Sequence, residues 1–183
     1  SVANIDNGSF DNCSIASRSL NRSNFTCEDL GPNTITLTVT DQSGNTQTAS
    51  VVVTIVDNTK PALVCKNTAV SLNTAGSAGL STGDVFQSGS DNCGILNLVS
   101  VQPNSFNCAD WGARSVTLTA NDGHGNTTTC SASVNVLDNI APTVVCKTKV
   151  ESYLNAAGAS TITAAAAFQN GADNCSVVNL QSV

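Results

Sequence analysis

The sequence contains few of the residues from which catalytic and nucleic-acid-binding sites are usually built. Among its 183 residues there is one His, one Trp and one Tyr, and Lys and Arg together number only seven. With a net charge of -6, the chain lacks a basic surface for phosphate groups, so we predict neither nucleic acid nor an acidic lipid surface as its partner. No apolar run approaches the roughly 18 residues of a membrane-spanning helix, so we expect no direct membrane insertion in this segment.

The scarcity of His and Glu also argues against catalysis. The one His, His124, lies in the turn "DGHGN", and a similar turn earlier in the chain reads "DQSGN" with Ser43 at that place. A nucleophile needs a base held beside it, and Glu occurs only at Glu28 and Glu151. We therefore expect neither enzyme activity nor a bound organic cofactor, although the chain would also suit an accessory domain of an enzyme whose catalytic sequence lies elsewhere.

Cysteine and small polar residues are abundant by contrast. Eight Cys occur without a CxxC pair or a His cluster, which favours disulfides over zinc and predicts an extracellular or cell-surface location. The hydrophobic fraction of 40% is enough for a core. Because the apolar residues are mainly Val, Leu, Ile and Ala, interspersed with Thr, Ser, Asn and Gly, we predict an all-β protein.

The chain repeats itself at a spacing of about 81 residues, as tandem domains do. The phrase "IVDNTKPALVCK" begins at Ile55 and returns as "VLDNIAPTVVCK" from Val136, and "DNC" occurs three times. We predict three copies, at 1–57, 58–138 and 139–183. Only the middle copy is complete, so we expect the chain to be a segment of a longer array.

Alternating hydrophobic residues predict a β-hairpin near the end of the first and second copies. In the first copy the predicted inward residues are Ile35, Leu37 and Val39, followed by Ala49, Val51, Val53 and Ile55. In the second copy they are Val116, Leu118 and Ala120, followed by Cys130, Ala132, Val134 and Val136, with Ser131, Ser133 and Asn135 facing water.

The predicted architecture of each copy is a small antiparallel β-sandwich of five to seven strands. The Ala-rich run from Thr163 to Ala167 occupies the place where the middle copy reads "LSTGDVF". We therefore predict strand or loop there, not helix.

The second hairpin resembles hyalin-type repeats, a family of Ig-like sandwiches. The matching residues of this sequence are Phe106, Gly112, Val116, Asp122, Gly125, Asn126, Cys130, Val134 and Val136. Lys66 and Lys147 stand where hyalin-type repeats commonly have Pro, and an additional Cys pair is present. With the recurring "DN.AP", "DNC" and "TD..GN" phrases, these differences make the chain most similar to the HYR-like tandem repeats of giant surface adhesins of gliding bacteroidete bacteria.

This resemblance implies tandem Ig-like antiparallel β-sandwich domains arranged end to end and carrying disulfides. Cys65 and Cys130 are both predicted to face inward, as in hyalin-type repeats, so we expect them to be bonded. The simplest pairing of the others is Cys93 with Cys108 and Cys13 with Cys27. Cys146 and Cys175 would then have partners outside the given sequence.

Asp and Asn residues at the copy boundaries form the candidate ligand site. In an Ig-type topology the linker that enters a domain lies near its B–C and F–G loops, so the linker and loop residues should converge. The candidate calcium ligands are Asp57, Asn58, Asp91, Asp122, Asp138, Asn139 and Asp173. The alternative is that Asp and Asn only cap turns by bonding their own backbone.

Trp111 replaces Leu30 of the first copy, which predicts a buried hydrophobic plug rather than a sugar-stacking platform. The repeats favour a structural stalk or filament in a large secreted or surface-anchored bacterial adhesin that supports adhesion or gliding motility. Its expected partners are neighbouring repeats and other surface or filament proteins. The alternative is a ligand- or glycan-binding module that uses loops at one end of each domain.

Overall fold

The computed structural model of the chain describes residues 1–175 and 179–181. The chain divides into two compact units. Unit 1 comprises Ser1–Pro61, Ser90–Leu96 and Asn121–Thr127, and unit 2 comprises Ala62–Gly89, Asn97–Ala120 and Thr128–Val183. Two loops that belong to the second copy in sequence therefore belong to unit 1 in space.

Unit 1 contains one three-stranded sheet, formed by β1 (Ile15–Leu20), β2 (Gly31–Asp41) and β3 (Thr46–Ile55) in that order. Strands β2 and β3 form the predicted antiparallel hairpin. Its turn is held by the Asp41 carboxylate, which accepts hydrogen bonds from the backbone amides of Ser43 and Asn45, each at 2.8 Å. An Asx-type turn of this kind needs no metal.

Burial in the first hairpin agrees only in part with the alternation of its sequence. Ile35 and Leu37 are buried as predicted, at 1% and 5% exposed. On β3, however, Ala49 is exposed and Val51 is 40% exposed, so the prediction that they face a core is wrong in this structure. The reason is that β3 is an edge strand of the sheet, whereas β2, which carries Ile35 and Leu37, lies in the centre between β1 and β3.

The remaining strands lie mainly in unit 2. In chain order the elements are β4 (Ala62–Cys65), β5 (Thr68–Ser71), β6 (Ser77–Gly79), α1 (Thr82–Val85), β7 (Phe86–Ser90), β8 (Asn97–Gln102), β9 (Ser105–Asn107), β10 (Gly112–Asn121), β11 (Thr127–Leu137), β12 (Thr143–Cys146), α2 (Ala164–Ala167) and β13 (Phe168–Ala172). The middle copy thus has eight strands, β4 to β11, and not five to seven. Strands β6 and β9, of three residues each, pair with one another and are too short for alternation to reveal.

The largest sheet of unit 2 has the strand order β5, β11, β10, β8. Its edge strand β5 runs parallel to β11, with Val70 opposite Val136. The prediction of a purely antiparallel fold is therefore wrong at this edge. Residue alternation is the same in parallel and antiparallel strands, so the sequence pattern carries no information about strand direction.

The core of unit 2 packs this sheet against the shorter strand pairs, which makes an all-β sandwich. The predicted inward residues of the second hairpin are confirmed, because Val116, Leu118, Ala132, Val134 and Val136 are all 5% exposed or less. The other buried members are Leu72, Leu80, Val85, Val101 and Phe106. Leu63 and Cys65 of β4 pack against this cluster.

Two single-turn helices correct the prediction for the Ala-rich run. Ala164–Ala167 is helical, as is Thr82–Val85 at the corresponding place in the middle copy. The Thr163 hydroxyl accepts from the Ala166 amide at 3.2 Å, and Ser81 forms a capping box with Asp84. A helix of four residues is only about one turn, so periodicity cannot reveal it. Within the described residues, no helix is long and apolar enough to cross a membrane.

Candidate functional site

Three disulfides stabilise the described structure: Cys27–Cys93, Cys65–Cys130 and Cys108–Cys175. The predicted Cys65–Cys130 bond is confirmed. The predicted bonds Cys93–Cys108 and Cys13–Cys27 are wrong, as is the expectation that Cys175 has its partner outside the given sequence. Structural disulfides are typical of proteins in oxidising compartments, so this chain belongs outside the cytoplasm.

The two unexpected disulfides, Cys27–Cys93 and Cys108–Cys175, link equivalent positions of consecutive copies. Cys27 and Cys108 occupy the same position in consecutive copies, and each is the first residue of a short 3-10 turn. Each bonds to the "DNC" cysteine of the next copy, with sequence separations of 66 and 67 residues. Neighbouring copies in this chain are therefore covalently joined.

The sequence could not distinguish this pairing from the predicted one. A bond from Cys13 to Cys27 recurs as Cys93 to Cys108 one period later, so the within-copy pairing is as regular as the observed one. Only the positions of the loops in space decide between them. Cys13 and Cys146 are exposed and have no bonding partner among the described residues.

The first joint, as we call the segment 57–61 together with the loops 91–93 and 122–126, lies entirely inside unit 1. Asp57 is its central residue and is only 9% exposed. Its Oδ1 accepts hydrogen bonds from the Thr59 amide at 2.9 Å and from the Asn92 side chain at 3.2 Å. The Asn126 side chain donates to its backbone carbonyl at 2.9 Å. Asp57, from the first copy, is thus bonded to both predicted loops of the second.

The two loop carboxylates of the first joint differ in how well they are bonded. Asp122 is 0% exposed, and its Oδ1 accepts from the amides of His124 and Asn126 at 2.8 and 3.0 Å. Its Oδ2 accepts from the Asn126 side chain. Asp91 accepts from the Cys93 amide at 2.9 Å through Oδ2 alone. Asp57 Oδ2 and Asp91 Oδ1 are buried without any hydrogen-bond partner.

The structure brings Asp57 close to each of two other predicted ligand residues, Asp91 and Asp122, in two separate groups. Within 4.8 Å of one another lie ligand atoms of Asp57, Asp91 and Cys93, and a second such group is formed by Asp57, Asp122 and His124. The Cys93 sulfur is bonded to Cys27 and is therefore not a thiolate ligand. Asn58, also a predicted ligand, is exposed.

The other predicted ligands lie at the second joint, which comprises the segment 138–142 and the loop 173–175 and belongs to unit 2. Asp138 Oδ1 accepts from the Ile140 amide at 3.2 Å and from the Asn174 side chain at 3.1 Å, which repeats the bonding of Asp57. Asn139 donates to the Ser71 hydroxyl at 3.1 Å. The Cys175 amide donates to Asp173 at 3.1 Å. The orphaned buried oxygen here is a neutral amide oxygen, Asn174 Oδ1.

A glycine allows close packing beside the disulfide of the second joint. Gly76 has φ +71°, and a Cβ atom there would lie 2.7 Å from both the Asn174 carbonyl oxygen and Cys108 Sγ. Neither of these atoms is at the end of a flexible side chain. The sequence shows no special role for Gly76, although "NTAGS" recurs as "NAAGA" in the third copy.

Hydrogen bonding lowers the pKa of the turn carboxylates. For Asp122, burial raises the pKa, but the hydrogen bonds from Asn126 and His124 outweigh it, and the pKa lies below its ordinary value of 3.8. For Asp41, the hydrogen bonds from the side chain and amide of Asn45 have the same effect. Both carboxyl groups are therefore ionised at neutral pH.

Two other expectations have opposite outcomes. Trp111 is 68% exposed, so the prediction that it plugs a turn as a buried hydrophobe is wrong, whereas Leu30 at the same place in the first copy is half-buried. Trp111 directly precedes β10 and is not a member of the core cluster of unit 2. His124 is exposed at a hairpin tip, as predicted.

No protein-family model and no curated protein matches this chain. Among solved structures, the extracellular cadherin domains 1–4 of protocadherin gamma B7 align with 75% of this chain and 46% of their own, at TM-score 0.35 and 12% identity. The protocadherin gamma B4 extracellular domain aligns with 74% of this chain and 28% of its own, at TM-score 0.34 and 17% identity. An endo-fucoidan hydrolase of glycoside hydrolase family 107 aligns with 63% of this chain and 20% of its own, at TM-score 0.29 and 21% identity. The chain spans less than half of the length of each, and similarities this weak carry no argument about its fold or function.

Proposed function

We propose that this chain is a run of tandem Ig-like repeats, arranged end to end, in the stalk of a large secreted or surface-anchored bacterial adhesin, where it supports adhesion or gliding motility. Its role is to bear tension between a cell surface and a binding domain, not to catalyse a reaction. The observation that carries this proposal is the pair of equivalent disulfides that join consecutive copies.

The disulfides create a short covalent path for tension. A force applied along the chain reaches Cys27, crosses to Cys93, follows the backbone to Cys108 and crosses to Cys175. Only about 15 residues of backbone carry the load on this path, and fully extended they span about 50 Å. The whole backbone from Cys27 to Cys175 would span about 500 Å.

Unfolding under force therefore releases little length between Cys27 and Cys175. A spacer whose copies are joined in this way changes little in end-to-end length even when a domain unfolds, which suits a stalk under shear. Linkers without such bonds would extend and expose unfolded backbone to proteases. The hydrogen bonds of Asp57 and Asp138 to the next copy add a non-covalent restraint at each joint.

Single-molecule stretching of the oxidised chain, held at its two ends, tests this proposal. The Cys27→Ala/Cys93→Ala variant should gain length, because its shortest path then runs through Cys65–Cys130. That path contains about 60 residues of backbone between Cys27 and Cys108 and spans about 200 Å when extended.

The matched control is Cys65→Ala/Cys130→Ala, which removes a bond of nearly the same separation, 65 against 66 residues, but one that lies off the load path. Its maximum extension should equal that of the wild-type chain. A wild-type chain that lengthens by several hundred ångströms without reduction would disprove the load path. For the location, antibodies to this chain should label the surface of intact producing cells.

A further inference from the structure

The first joint contains two carboxylate oxygens that the protein itself leaves without a partner. Asp57 Oδ2 and Asp91 Oδ1 are both buried and accept no hydrogen bond, and the Asp57 residue is 9% exposed. The other oxygen of each carboxylate accepts hydrogen bonds, from Thr59 and Asn92 for Asp57 and from Cys93 for Asp91. A buried ionised oxygen without a donor is costly, so a cation at this place would stabilise the joint.

Among the described residues, no ion pair with a basic side chain supplies that positive charge. The ion pairs among the described residues use Asp6, Asp29, Asp110 and Glu151 as their acids. None of them involves the three joint carboxylates, although a ligand atom of Asp57 lies within 4.8 Å of one from Asp91 and of one from Asp122. The described part of the joint is thus a concentration of negative charge, two of whose oxygens are available as ligands.

We propose that the first joint binds one divalent cation, with calcium as the preferred ion, through Asp57 Oδ2 and Asp91 Oδ1. Asp122 adds a third negative charge nearby, and water completes the coordination shell. Calcium prefers carboxylate, carbonyl and water oxygens. The only sulfur in the Asp57–Asp91 group, that of Cys93, is consumed in a disulfide, which removes the soft ligand that zinc or copper would favour.

The ion would connect the first copy to the second at the place where Cys27–Cys93 already joins them. Asp57 belongs to the end of the first copy and Asp91 to a loop of the second, and both lie in unit 1. Calcium would thus hold the Asp57 and Asp91 side chains together, whereas the disulfide links Cys27 to Cys93. The proposal goes beyond the stalk function and does not depend on it, because the covalent load path exists with or without an ion.

The second joint provides an internal comparison. Asp138 repeats the turn and the amide contact of Asp57, but the orphaned oxygen there is the uncharged Asn174 Oδ1. Within the part of the chain that the structure describes, no group of three ligand residues forms around Asp138. Asp138→Asn is therefore the matched control for loss of a joint carboxylate.

Calorimetric titration of CaCl₂ into the chelator-treated full chain tests the proposal, with MgCl₂ and ZnCl₂ as separate arms. We expect saturable calcium binding at the first joint with a dissociation constant of about 10⁻⁴ to 10⁻³ M, the range of extracellular modules. Asp57→Asn and Asp91→Asn should each weaken binding about tenfold or more, and Asp138→Asn should leave it unchanged. Calcium should also raise the melting temperature of the wild-type chain and not that of Asp57→Asn.

Absence of saturable calcium binding to the wild-type chain would overturn the proposal, whatever the variants do. So would zinc binding that is lost in His124→Ala without any calcium binding, because that would place the ion on the exposed imidazole beside Asp57 and Asp122. An equal loss of affinity in Asp138→Asn and Asp57→Asn would overturn the assignment to the first joint. Each of these results leaves the stretching experiment unaffected, so the two proposals fail separately.

Discussion

Asn126 donates its side-chain amide to the backbone carbonyl of Asp57 at 2.9 Å, across 69 residues of sequence. The same side chain bonds the Asp122 carboxylate within its own turn. Among the residues that the structure describes, the side chain of its counterpart in the first copy, Asn45, donates only within its own turn, to Asp41 at 2.7 Å. The same turn residue therefore has a purely local role in one copy, and both a local role and a role in the joint in the next.

This difference predicts unequal effects of removing the two amides. Asn126→Ala removes the side-chain donor to the Asp57 carbonyl and to Oδ2 of the buried Asp122 carboxylate, so we expect it to lower the free energy of unfolding by about 2–3 kcal/mol. Asn45→Ala affects an exposed turn that water can solvate, and its cost should be about 1 kcal/mol or less. Chemical denaturation of both variants measures the difference, and equal losses would contradict the joint role of Asn126.

Peptide mapping without reduction should find Cys27 linked to Cys93, Cys65 to Cys130, and Cys108 to Cys175. Alkylation of the native chain should modify Cys13 and Cys146, which are exposed and unpaired in the described structure. A peptide that links Cys93 to Cys108 would instead support pairing within a copy. In the mapped protein, Cys27→Ala/Cys93→Ala should lose about 4 kcal/mol of stability by the chain-entropy estimate, and Cys13→Ala should lose almost none.

Gly76→Ala should be far more damaging than Gly158→Ala. Both glycines have positive φ, +71° and +75°, so both substitutions carry the strain of a left-handed backbone, about 1–2 kcal/mol. Only at Gly76 would the new methyl group meet the Asn174 carbonyl and Cys108 Sγ at 2.7 Å, since nothing lies within 4 Å at Gly158. We expect an additional loss of about 1–3 kcal/mol in thermal unfolding, and similar melting temperatures for the two variants would refute the close approach.

Stability should fall when the solution is made more acidic than the ordinary carboxyl pKa of 3.8. The pKa of Asp122 is lower in the folded protein than this value, with Asn126 and His124 as hydrogen-bond donors that outweigh the effect of burial. Folding is therefore favoured by the ionised group above pH 3.8, and this contribution is lost as the pH falls through the folded pKa. Asp41 shifts in the same direction.

Carbon-13 NMR titration of the Asp122 carboxyl gives its pKa directly. Thermal unfolding of Asp122→Asn should show a smaller dependence on pH than the wild-type chain over the same acidic interval. A folded pKa of Asp122 at or above 3.8, or an unchanged pH dependence in the variant, would contradict the hydrogen-bond network of this turn.

Much of the architecture follows from patterns that are local in sequence. The period of about 81 residues gives the repeats, and alternation gives the second hairpin, from Val116 to Val136, whose inward residues are buried as predicted. The bond between Cys65 and Cys130 was also predictable, because both occupy inward positions of one copy and the resemblance to hyalin-type repeats implies their pairing. Asp57, Asp91 and Asp122 were identified as candidates because a linker and two loops of such a sandwich meet at one end.

Tertiary structure alone decided what joins one copy to the next. A repeat shifts every pattern by the same period, so a cysteine bonded within its copy and one bonded to the next copy look identical in sequence, and only the proximity of Cys27 to Cys93 separates them. Strand direction at β5, the exposure of Trp111 and Val51, and the orphaned oxygens of Asp57 and Asp91 are likewise set by what packs against each residue. Sequence patterns report which side a residue faces, whereas burial and hydrogen bonding depend on the atoms that a distant part of the chain places on that side.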